Sequence, residues 1–82
     1  MNKEEIFNTI LSTCRAVFND SDLELTFDSS ADQVDQWDSL THIQLILEIE
    51  KSFKIRFSLG ELQTLKRIGN LVQLISEKLN EA

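Results

Sequence analysis

The sequence predicts an all-α fold: a bundle of four helices with one long connection between the first two and a short third helix. Three observations lead there. The chain has no proline and only two glycines, the residues that most often interrupt helices. Apolar residues recur at spacings of three and four in separate segments, the period that lines one face of a helix. Between the first two such segments lies a polar stretch without that period, residues 19–37. Residues 1–82 read as one domain, able to bury one modest core and little more.

The first helix is read over residues 3–18. Ile6, Ile10, Val17 and Phe18, with Phe7, Leu11 and Cys14 beside them, make one apolar face. Glu4 and Glu5 stand in its first turn, where the helix dipole favours acids. Cys14 reads as a small core residue. As the single cysteine it cannot form an internal disulfide, so nothing requires an oxidising compartment.

The connection, NDSDLELTFDSSADQVDQW, is rich in Asp, Ser and Asn, which favour turns. From Asp20 to Asp38 there are seven acids, half of the chain's fourteen, and no Lys or Arg. Leu23, Leu25, Phe27 and Val34 interrupt the polarity and are expected to pin the loop to the core. A calcium-loop reading fails, because counting from Asp20 there is no glycine at the sixth position and no Glu at the twelfth. The stretch reads instead as an acidic surface that steers basic partners.

Asp38 starts the second helix, its carboxylate suited to cap the free N–H groups of the first turn. The segment QWDSLTH, residues 36–42, gathers an acid, a hydroxyl and an imidazole. Nucleophilic catalysis also needs an orienting group and an oxyanion hole. Asp38 is taken as a cap, and there is no glycine-rich turn, so a hydrolase is set aside. His42 is expected to be an exposed residue near Ser39, with no second His or Cys to support metal ligation. Trp37 has two readings, a core residue beside the helix or an exposed anchor for a partner. Leu40, Ile43, Ile46 and Phe53 are expected to share the inward side, with Leu45 and Ile49 adding apolar surface elsewhere. Leu47 is placed at the edge of that set, partly exposed, with Gln44, Glu48 and Lys51 as a polar rim. Together with Trp37 and Leu40, these form the expected partner surface.

KIRFS, residues 54–58, is a short extended link in which Ile55 and Phe57 alternate with polar residues. Ser58 and Glu61 fit a capping box, opening a third helix over 59–66 that should bury Leu62 and Leu65. The last helix carries Ile68, Leu71, Val72, Ile75 and Leu79.

The net charge of −6 argues against nucleic acid, whose phosphates need a basic face, and against an anionic membrane surface. A basic protein partner fits the sign. The N-terminal segment lacks a long apolar run, so no signal peptide is expected, and no stretch approaches the length of a membrane span. A cytoplasmic monomer is the expectation.

These pieces in sequence resemble acyl carrier proteins. DSL at 38–40 opens an apolar helix ending IQLILEIEKSF; FKIRF follows at 53–57 and IGNLVQLI at 68–75. The resemblance covers nearly the whole chain and implies a carrier rather than an enzyme, built as an acyl-carrier-type four-helix bundle. It implies that a separate phosphopantetheinyl transferase esterifies Ser39 with phosphopantetheine from coenzyme A, giving an arm whose thiol holds acyl groups as thioesters. Asp38 would help that transferase and its metal ion engage. Acyl-loading and acyl-processing enzymes with basic docking surfaces would be the other partners. A phosphodiester at Ser39 would lie near the unpaired N–H groups of a helix start. Glu50 matches a glutamate of the family's second helix and is expected to be partly buried with a polar partner. Gln36 and Trp37 stand where the family often has glycine and a small residue, and Gln44 and Lys51 where fatty-acid carriers often have Glu. These departures point to a specialised carrier serving a dedicated pathway. The alternative is a small helical adaptor without a prosthetic group.

Overall fold

The computed structural model describes residues 2–65 and 67–81. It is a bundle of four helices, α1 (Lys3–Val17), α2 (Ser39–Phe53), α3 (Leu59–Thr64) and α4 (Ile68–Glu81), with one 3-10 turn at Ala31–Gln33 in the long connection. α1 packs against both α2 and α4. The core between them is Ile6, Ile10 and Cys14 of α1, Leu45 and Ile49 of α2, and Ile68, Val72 and Ile75 of α4, all at most 2 % exposed. Cys14 is in the core as expected, and burial pushes its thiol up to about 12.

Half of the inward face expected of α2 is buried: Ile46 and Phe53 are, and Leu40 and Ile43 are not. The buried residues of α2 are Leu45, Ile46, Ile49 and Phe53, whereas Leu40 and Ile43 are 66 % and 58 % exposed. Ile46 and Phe53 belong with Leu45 and Ile49, on one side of the helix. Leu40 precedes Ile49 by nine residues, about two and a half turns, and so stands on the far side. The bundle covers only one side of α2, and spacing alone did not say which of its two apolar stripes that would be.

The long loop is pinned, but not only by apolar residues. Leu25 and Val34 are buried, and Leu23 packs on the core. Phe27 departs from the expectation: it is 50 % exposed and meets Phe7 of α1 edge-on, ring centroids 5.0 Å apart. The loop backbone instead caps α4. The N–H of Ile68 donates to the Ser29 carbonyl at 2.9 Å and that of Gly69 to the Phe27 carbonyl at 2.8 Å, while Nη1 of Arg67 donates to the Asp28 carbonyl at 2.9 Å. Gly69 permits this approach, since a Cβ there would lie 3.0 Å from the Phe27 oxygen.

α2 ends at Lys54, which adopts a left-handed conformation (φ 57°, ψ 47°). Half-buried Glu50 then holds the outgoing link, its Oε2 accepting from the Phe57 N–H at 2.9 Å, in line with the polar partner expected for it. Ser58 and Glu61 form the expected capping box: Glu61 Oε1 accepts from the Ser58 N–H at 2.8 Å, and Ser58 Oγ from the Glu61 N–H at 3.2 Å. α3 ends at Thr64; residue 66, the last of the helix expected there, lies outside the described residues. Leu65 is buried and Leu62 half-buried.

Candidate functional site

The junction of the loop with α2 is built by Asp38 and Thr41. Asp38 is the N-cap: its Oδ1 accepts from the Thr41 N–H at 2.9 Å, and Thr41 Oγ1 accepts from the Asp38 N–H at 2.8 Å. Each end of the pair thus satisfies the other's backbone donor, as in a capping box. The Thr41 hydroxyl also donates to the Gln36 carbonyl at 2.7 Å, tying the last loop residues to the first helical turn. The Thr41 N–H, and after it the Thr41 hydroxyl, hold the Asp38 carboxyl below the usual carboxylate range. Asp38 therefore caps the helix as expected. Thr41 was not singled out from the sequence, although a hydroxyl three residues after a capping acid is the signal that could have found it.

Ser39 is the first residue of α2, and its side chain is exposed. It has the elements of a start-of-helix anion site around it: a helix of 15 residues whose dipole is positive at this end. A cleft of about 660 Å³ opens beside it, lined among others by Trp37, Asp38, His42, Leu62, Leu65 and Arg67.

Two neighbours of Ser39 are drawn inward. Of the two readings of Trp37, core residue and exposed partner anchor, the first holds: it is only 5 % exposed and packs against Phe18 with ring centroids 6.0 Å apart. His42, expected to be exposed, is half-buried beneath it. Trp37 Nε1 donates to His42 Nδ1 at 3.0 Å, and the two rings stack at an interplanar angle of 26°. Burial lowers the His42 pKa below its ordinary value. With Nδ1 committed to Trp37, the ring proton of neutral His42 is on Nε2. Among the described residues no hydrogen bond joins Ser39 to His42, so the nucleophile–base pair of a hydrolase is not assembled.

The other residues expected at the partner surface do lie on one side of α2. Leu40 and Leu47 are 66 % and 52 % exposed. Gln44, Glu48 and Lys51 are exposed around them, with Lys51 Nζ 3.7 Å from Glu48 Oε1. Ile43, expected to face inward, joins this group. Among the described residues no cluster of His, Cys, Asp and Glu could hold a metal ion.

Comparison with known proteins bears on this geometry. Residues 8–75 match the family model described as "Phosphopantetheine attachment site". The chain is 33 % identical over 81 residues to the acyl carrier protein of Petrotoga mobilis, covering 98 % of this chain and 94 % of that one. Its fold superposes on the solution structure of a holo acyl carrier protein from Geobacter metallireducens with a TM-score of 0.85 and 43 % identity, over 92 % of this chain and 86 % of that chain. A putative acyl carrier protein from Mycobacterium tuberculosis matches with a TM-score of 0.78 and 25 % identity, over 87 % of this chain and 95 % of that chain.

Proposed function

The chain belongs to the acyl carrier protein family, and we propose that Ser39 is the residue on which it takes its phosphopantetheine arm. The family function is that of a carrier and not an enzyme: acyl groups ride as thioesters on the thiol of a covalent phosphopantetheine. Its members work with a phosphopantetheinyl transferase and with biosynthetic enzymes.

The observation that carries Ser39 is its position, exposed at the first residue of a capped helix and at the mouth of a cleft. Each part has a physical use. Exposure gives the transferase access to Oγ. The start of α2 offers a favourable field to the phosphodiester that modification creates. The apolar side chains of Trp37, Leu62 and Leu65 in the cleft are compatible with the uncharged length of the arm, and Arg67 with an anion. Asp38 holds the helix start in place and is offered here as part of what the transferase reads.

Gln44 and Lys51, where family members that serve fatty-acid synthesis often have Glu, favour a dedicated pathway over general fatty-acid synthesis. The seven acids from Asp20 to Asp38 favour partners with basic surfaces. Among the described residues no helix is long and apolar enough to cross a membrane, and a cytoplasmic monomer remains our reading. Intact mass after incubation with coenzyme A and a broad-specificity transferase tests the proposal. The chain should gain the mass of one phosphopantetheine; a chain that gains none contradicts the proposal and leaves the adaptor as the alternative.

A further inference from the structure

On the carrier reading above, which puts the arm on Ser39, we propose that the phosphodiester of the arm draws a proton onto His42 and so releases Trp37, the arm-bearing chain letting go of the indole at a higher pH than the bare chain.

Ser39 and His42 are the first and fourth residues of α2. Residues three apart are neighbours on a helix surface, their Cβ atoms about 5–6 Å apart. Both residues line one cleft. His42 is half-buried there, and its Nδ1 accepts from the indole N–H of Trp37 at 3.0 Å. An imidazolium carries a proton on both nitrogens and has no acceptor to offer. Protonation therefore sets two donors face to face, and one of the two rings must turn away. In the bare chain burial opposes the charged form. So does the positive end of the helix dipole, since His42 stands close to the start of α2.

Among the described residues, three charged side chains share the cleft with His42: Asp32 of the 3-10 turn, Asp38 at the cap and Arg67 just before α4. α3 contributes Leu62 and Leu65, which carry no charge. Asp32 and Asp38 favour an imidazolium and Arg67 opposes it. These three are the same with and without the arm. The phosphodiester is the charge that modification adds, an anion beside a group that titrates near neutrality. An added anion raises the pH at which an imidazole takes its proton. The proton comes from solvent, and Trp37 loses its acceptor.

Trp37 anchors the turn that leads into Ser39. Its backbone N–H donates to the Val34 carbonyl at 3.0 Å, its ring packs on Phe18, and the Asp38 cap follows it directly. Gln36, just before it, accepts from the Thr41 hydroxyl at 2.7 Å. Loosening the indole thus marks the arm-bearing chain at the place where an enzyme approaches the arm.

The test is an NMR titration of both forms, after mass spectrometry has established the gain of one phosphopantetheine. The chain has one histidine and one tryptophan, so the His42 ring and the Trp37 indole N–H report without overlap. The His42 midpoint should lie higher in the arm-bearing chain by about half a pH unit or more, the effect of one charge at about 6 Å even in water-like surroundings. The indole N–H should move with the same midpoint. Urea unfolding is the second readout. The arm brings the folded-state value of His42 back toward the ordinary 6.5, so the loss of stability between about pH 7.5 and about pH 5.5 should be smaller in the arm-bearing chain. His42→Gln can still accept from the indole but does not titrate, and in this variant the two forms should run parallel. Equal His42 midpoints, a lower one in the arm-bearing chain, an indole N–H that stays still while His42 titrates, or unequal urea profiles that persist in His42→Gln each overturn the proposal. A chain that gains no mass overturns the carrier reading together with this one. A mass gain with equal midpoints overturns this one alone.

Discussion

Trp37 and His42 are joined by a hydrogen bond from the indole N–H to Nδ1 at 3.0 Å, with their rings stacked. The bond requires a neutral imidazole. Protonation would place an N–H on Nδ1, facing the indole donor.

This makes stability depend on pH near neutrality. Burial lowers the folded-state pKa of His42 below its ordinary value of 6.5. Between the two values the unfolded chain binds more protons than the folded one, so stability rises with pH there. The contribution is present above 6.5 and is lost as pH falls through the folded value. The urea midpoint should therefore drop between pH 7.5 and pH 5.5, and His42→Gln should remove most of that drop. Trp37, as the sole tryptophan, reports the same event by fluorescence. An identical pH profile in the variant would dissociate His42 from the effect.

The two faces of α2 should respond oppositely to truncation. Ile49 is fully buried, and Ile49→Ala should cost about 2–5 kcal/mol. Leu47 is 52 % exposed, so Leu47→Ala should cost far less while weakening the transferase complex. Equal losses in urea unfolding would put Leu47 in the core.

That contrast shows how much the sequence made legible. The number and order of the helices and the caps of α2 and α3 could be read, because spacings of three and four, Asp38 and the Ser58–Glu61 pair are local signals. Which stripe of α2 faced inward could not, because Leu40, Ile43 and Leu47 are as apolar as Leu45 and Ile49, and only the neighbouring helices decide between them. The Trp37–His42 bond was likewise illegible: its partners are five apart, and it forms only when the loop's last turn brings the indole against the first turn of α2. The capping of α4 by loop carbonyls involves backbone alone, which leaves no mark in residue type except Gly69.

Gly69→Ala tests that capping. In an open helix position alanine would stabilise by about 1 kcal/mol. Here its Cβ would stand 3.0 Å from the Phe27 oxygen. The expected outcome is no gain in stability and faster amide hydrogen exchange at Ile68 and residue 69. A gain of the full helix-propensity value would mean that the loop does not press on α4.

Asp38 can be separated into its two roles. Its carboxyl is held below the ordinary value of 3.8, first by the Thr41 N–H. The stability this adds is present above the ordinary value and is lost as pH falls through the folded one. Asp38→Ala should lower the melting temperature and flatten the acid limb of the stability profile. Asp38→Asn, which keeps a capping oxygen, should retain most of the melting temperature yet slow modification. Unchanged modification in both variants would remove Asp38 from transferase recognition.

The most direct test of the account is the site of modification. Wild-type chain and Ser39→Ala are incubated with coenzyme A and transferase, digested, and the peptides weighed. Ser39 is exposed, so the variant should fold and melt like the wild type. The account predicts one phosphopantetheine on the peptide that contains Ser39, and none on any peptide of the variant. A phosphopantetheine found on the folded alanine variant would contradict it.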